Sequence, residues 1–97
     1  MTARLSIIAE AALIYLREAG GTASVARDGV VFVAARPAPF LFGAVEKLAD
    51  AGLVALALPR DPGRGRLVAT VTSEGEAYRA GLMAAQKARS WGRRYDD

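Results

Sequence analysis

Three arginines crowd the stretch PRDPGRGR, at Arg60, Arg64 and Arg66, with Asp61 the only carboxylate among them. Guanidinium groups at that density can neutralise successive phosphates and release their counterions, or they can simply keep a turn in water. The stretch contains glycines but lacks the spacing and the Lys-Ser/Thr of a phosphate-binding P-loop, so it does not point to a nucleotide. Catalysis has little to draw on elsewhere. The chain has neither cysteine nor histidine, which removes thiolate chemistry, disulfides, the usual zinc ligands and the side chain best suited to proton transfer near neutral pH. Carboxylates remain. Glu74 and Glu76 fall in a first helical turn, where acidic groups complement the helix dipole; Glu46 and Asp50 are spaced as a solvated helix face; Asp96 and Asp97 are terminal. None has a setting that would tune a general acid or base, so the expectation is a protein that is not an enzyme, with no catalytic residue, cofactor or metal.

The scaffold for these residues must come from 97 residues that are 53% hydrophobic and 24% charged. Such a chain makes one domain, over residues 1–97, that hides about two-thirds of its unfolded surface. Its composition is the reverse of a disordered segment's. The net charge of +3 favours an anionic partner, but 11 arginines against 2 lysines, with 21 alanines, also fit a GC-rich genome, so basicity alone weighs little. Glu10 interrupts the apolar N-terminal run, and no uncharged run approaches the ~20 residues that a membrane span needs. A cytoplasmic protein without membrane association is expected.

Leu5, Ile8, Ala12, Tyr15 and Leu16 recur at helical spacing ahead of Gly20-Gly21, which predicts a first helix. Ile7, Ala11 and Ile14 lie off that stripe, and a second subunit would cover them. Asp28-Gly29 between two apolar runs predicts a two-residue hairpin that pairs Val25 with Phe32 and Ala26 with Val31; a short helix over residues 24–31 is the competing reading. Pro37 and Pro39 break any strand, and a proline before FLFGAVEKLADAGL suits a helix start. In that helix Leu41, Val45 and Leu48 form the inward stripe and Gly52 ends it. Alternating residues predict antiparallel strands over 53–58 and 67–72 around the arginine loop. Ser73 and Glu76 have capping-box spacing for a last helix over residues 74–91, striped by Tyr78, Leu82, Ala85 and Ala88, with a frayed polar end after it.

From residue 45 to residue 82 the string VEKLADAGLVALALPRDPGRGRLVATVTSEGEAYRAGL resembles the second half of a winged helix-turn-helix, similar to the MarR and PadR families of transcriptional regulators. The likeness rests on Leu48, on Gly52-Leu53-Val54 after the helix, on the tip from Arg60 to Arg66, and on Thr72-Ser73-Glu74-Gly75 ahead of the next helix. It implies an α+β winged helix: a first helix, a β-hairpin or degenerate short helix, a recognition helix, a two-stranded wing and a C-terminal helix. It also implies double-stranded DNA as partner. The off-stripe residues of the first helix, with Trp91 near the end of the last, would leave apolar surface exposed on a monomer and so predict a homodimer through those two helices. Two departures stand out. A hairpin replaces the short helix that precedes the recognition helix, and that helix opens with Phe40-Leu41-Phe42-Gly43-Ala44, where hydrogen-bonding side chains would read base edges.

On this reading Arg60, Arg64 and Arg66 grip phosphates, Arg36 and Lys47 add backbone contacts, and Phe40 and Gly43 lie where the helix enters the groove of the DNA. Core positions for both Phe40 and Phe42 are the favoured reading, yet Leu41 holds the inward position, so at least one of them should face outward or sideways. An exposed aromatic pair suits a protein contact better than base reading, and this gives the rival class, a winged-helix interaction module. A continuous positive face over residues 36–47 favours DNA; an apolar patch there favours protein.

Overall fold

The structure, a computed structural model, describes residues 5–26, 28–58 and 67–95, with side chains as far as Trp91. It is an α+β fold. Helix α1 (Ile7–Glu18) leads into β1 (Thr22–Val25), β2 (Val31–Val33) and β3 (Arg36–Pro37); α2 (Phe42–Asp50) follows, then β4 (Val54–Ala57), β5 (Leu67–Val71), α3 (Ser73–Ala77) and α4 (Leu82–Tyr95). The strands form one antiparallel sheet in the order β3-β2-β1-β5-β4. The two strands expected at 53–58 and 67–72 are thus β4 and β5, paired antiparallel, while the arginine tip lies outside the described residues.

Alternation sets the two faces of the sheet. Ala23, Val25, Val31, Val33, Val54 and Ala69 are buried and join one core with Leu13 and Leu16 of α1 and Val45 and Leu48 of α2. Thr22, Thr70, Ala55 and Ala57 fall on the opposite, open face.

The β1–β2 hairpin forms, but one residue out of the expected register: Ser24 pairs with Phe32 and Val25 with Val31. The loop lies between Ala26 and Val30, whose backbones bond at 2.9 Å. Gly29 sits in it at φ 87°, the left-handed position that ends a three-residue turn. A one-residue slip changes which side chains share a face, and this register places the buried valines opposite each other. Nor do the prolines end the sheet at once. Arg36-Pro37 forms a short edge strand on β2, a place where the missing N–H of proline is tolerated.

The last helix is not continuous. Tyr78 is extended, and α3 is separated from α4 by residues 78–81. Tertiary contacts override the helical pattern here. Arg17 donates from one guanidinium nitrogen to the carbonyls of Gly75 (3.1 Å), Glu76 (3.4 Å) and Tyr78 (2.7 Å), oxygens that a continuous helix would turn toward its own amides. The Tyr78 hydroxyl donates to one carboxylate oxygen of Glu10, and the Gly81 amide to the other at 3.3 Å. The cap also lies one residue earlier than expected. Thr72 caps α3, accepting from the Gly75 amide at 3.1 Å, and its hydroxyl donates to the Gly52 carbonyl at 2.7 Å. Ser73 instead donates to Glu74, whose carboxyl is held below its usual value by its own backbone amide and then by that hydroxyl.

Candidate binding site

The start of α2 is where the expected site residues meet the rest of the molecule. The chain is still extended at Leu41, which serves as N-cap with φ −94° and ψ 167°, and no side chain caps the first turn. The late start corrects the expected helical phase. Leu41 does not face inward; it is 80% exposed. Phe40 takes the inward place, 5% exposed, because it fills the space between α1 and α4: its ring lies 5.8 Å from Tyr15 and 5.6 Å from Trp91, and Tyr15 and Trp91 are 6.2 Å apart. Edge-on and tilted rings at these separations are favourable aromatic contacts. Phe40 is therefore a core residue and cannot present its ring to DNA, while Phe42 is half-buried against the core.

Trp91 belongs to the same cluster and is 4% exposed within a single chain. Ala11 is also buried and Ile14 half-buried, so Trp91 and Ala11 give no apolar surface for a second subunit to cover and Ile14 gives little. The inward stripes differ from the expected ones accordingly. In α1 Leu13 is buried and Ile8 exposed; in α4 Ala84, Ala88 and Trp91 face the core, while Leu82 and Met83 are exposed.

Around the Phe40–Trp91 pair a groove of about 600 Å³ opens to solvent between the starts of α1 and α2 and the middle of α4. Phe40 and Trp91 form its floor, Ile8, Leu41 and Ala44 contribute further apolar surface, and Lys47 and Lys87 also line it, with Ser6 and Gly43. Among the described residues no Asp or Glu lines it. The Ser6 hydroxyl already caps α1, accepting from the Ala9 amide at 3.1 Å. Gly43 is exposed, and a Cβ there would meet nothing within 4 Å among the described residues, so none of them requires its lack of a side chain.

Three of the expected site residues, Phe40, Gly43 and Lys47, thus come together, Phe40 as floor rather than contact. Arg36 does not line the groove; it is exposed on the edge strand β3. Arg60, Arg64 and Arg66 lie outside the described residues. Lys87, Ile8 and Trp91 were not anticipated as site residues. One sign of them was legible: both lysines of an arginine-rich chain fall on helices, and Lys87 stands one helical turn before the only tryptophan.

Glu10 is engaged by Tyr78 and Gly81, and the Tyr78 hydroxyl is pushed above its ordinary pKa, chiefly by the hydrogen bond to Glu10, then by burial and by the nearby charge. Among the described residues no cluster of three or more potential metal ligands occurs, and no helix is long and apolar enough to cross a membrane. Comparison with family models, with curated proteins and with solved structures gives no match for this chain.

Proposed function

We propose that this chain is a non-catalytic binding module on a winged-helix pattern, and that its working surface is the groove at the start of α2, which receives a protein segment. One observation carries the reading. Where a DNA-reading helix would present hydrogen-bonding side chains, this one presents Leu41, 80% exposed, at the edge of an apolar groove; an exposed apolar patch with polar surroundings marks a protein contact. The winged-helix pattern is supported by β5 pairing with both β1 and β4 directly after α2, and the β2–β3 pair stands where that pattern has a short helix.

The second reading, a DNA-binding transcriptional regulator, is favoured by the β4–β5 hairpin, whose connecting residues include Arg60, Arg64 and Arg66. On that reading these arginines grip phosphates, with Arg36 and Lys47 beside them. The homodimer is a further proposal, now supported by Ile7, Leu82 and Met83, exposed near the starts of α1 and α4.

One titration separates the two readings. Trp91 is the only tryptophan and floors the groove, so a segment seated there changes its emission. Duplex DNA held by the arginine loop leaves the emission unchanged and shows instead a salt-dependent affinity that flattens when Arg60, Arg64 and Arg66 become alanine. We expect the first result with a leucine-containing peptide; salt-sensitive duplex binding lost in the triple variant, without any peptide response, would make DNA the partner.

A further inference from the structure

Both lysines of the chain, Lys47 on α2 and Lys87 on α4, line the groove, and among the described residues no carboxylate does. The neighbouring acids of α2, Glu46 and Asp50, are exposed but lie outside its lining. The groove therefore joins two kinds of surface: an apolar floor and wall of Phe40, Trp91, Leu41 and Ile8, and positive charge from both lysines. Lysine lays its apolar stem along such a wall and keeps its ammonium in water, so the two surfaces can act on one ligand.

Resting on the protein-binding reading above, we infer that the occupant is an acidic amphipathic segment of a partner protein. Its large apolar side chain covers Leu41 and Ile8, and its flanking carboxylates meet Lys47 and Lys87. Charge complementarity fixes the sign of the partner, because a basic segment would bring like charges together around an apolar contact and lose affinity. The openness of the groove fixes its kind. A small ligand is held by burial of most of its surface, which an open groove does not supply, whereas a segment attached to a folded partner needs only one face covered. Duplex DNA fits the lysines but leaves Leu41 and Ile8 without an apolar counterpart.

The test uses the full chain, Trp91 emission, and four short capped peptides built from glutamate and leucine, glutamine and leucine, lysine and leucine, or glutamate and serine. The glutamate–leucine peptide is expected to bind tightest. Replacing Lys47→Glu and Lys87→Glu should weaken it roughly fivefold for each lysine, the size of a partly exposed ion pair, and turn the preference toward the lysine–leucine peptide. Both lysines are exposed, and circular dichroism should show the double variant folded. Equal affinity for the glutamine–leucine and glutamate–leucine peptides would overturn the acidic partner while leaving the protein-binding reading in place. A response to none of the four would overturn both. Displacement of the bound peptide by duplex DNA, or an affinity that falls as protein concentration rises, would also overturn the inference, by assigning the groove to DNA or to a second copy of the chain.

Discussion

At its C-terminal end α2 hands its last carbonyls to the turn that follows it: the Gly52 amide bonds Ala49 at 3.0 Å and the Leu53 amide bonds Leu48 at 2.9 Å. This is a glycine-ended helix stop with Gly52 at φ 77°. Thr72 then fastens the turn to α3, through its hydroxyl on the Gly52 carbonyl and its amide on that of Leu53. At the N-terminal end there is no capping side chain, Leu41 stands in solvent and a groove opens beside it. One helix thus has one end tied to its neighbours and one end uncapped beside an open groove. The Gly-Leu-Val and Thr-x-x-Gly stretches that carry the family resemblance belong to the rigid end, so they report on architecture and leave the partner undetermined.

The rigid end should be the easier to break. A Cβ at Gly75 would lie 2.1 Å from the Leu53 carbonyl oxygen and 2.8 Å from a Val71 methyl. Backbone cannot yield as a side-chain tip can, so Gly75→Ala should destabilise the fold by about 3 kcal/mol, lowering the melting temperature by roughly 15 °C. Thermal unfolding followed by circular dichroism checks this. An unchanged melting temperature would show that α3 can lift off Leu53 and β5 freely, and the contrast between the two ends would fail.

The same contrast explains what the sequence revealed. The elements α2, β4 and β5 were legible because their determinants are local: a glycine after a helix and alternation in strands. The break between α3 and α4 was not, since it depends on Arg17 and Glu10, distant in sequence, reaching residues 75–81. The hairpin register turned on whether Gly29 ends a two- or a three-residue turn, and Asp28-Gly29 suits either. At the site, Lys47 and Gly43 were picked out with DNA in view. The groove itself depends on helix α2 starting at Phe42, a shift that exchanges the roles of Phe40 and Leu41 and that Pro39 in the sequence did not reveal.

The open end should respond in the opposite sense. Leu41 already has the backbone conformation of a cap, and most of its side chain is in water. Leu41→Ser supplies the missing acceptor and should stabilise the protein by about 1 kcal/mol. The same change removes apolar wall from the groove and should weaken the glutamate–leucine peptide several-fold. A stability gain with undiminished binding would move the contact away from Leu41. A stability loss would show that the exposed leucine packs in solution against something else, a second copy being the first to test by light scattering.

The smallest expected effect concerns the rigid region and appears only in alkali. Tyr78 donates to Glu10, and this bond, together with burial and the carboxylate's charge, raises the tyrosine above its ordinary pKa of 10.0. The native hydroxyl therefore keeps its proton at a pH where the unfolded chain has begun to lose it. In that window the unfolded state binds fewer protons than the native state, so stability falls as pH rises. The contribution is fully present below 10.0 and disappears as pH climbs through the higher native value. Tyr78→Phe lacks this ionisation, so its stability should decline less steeply over the same window, even though it starts lower for want of the hydrogen bond. Urea unfolding of both proteins on either side of pH 10.0 gives the two slopes. Parallel slopes would mean that Tyr78 does not hold Glu10 in solution, and that the tie between α1 and the segment before α4 rests on Arg17 and on the Gly81 amide at Glu10.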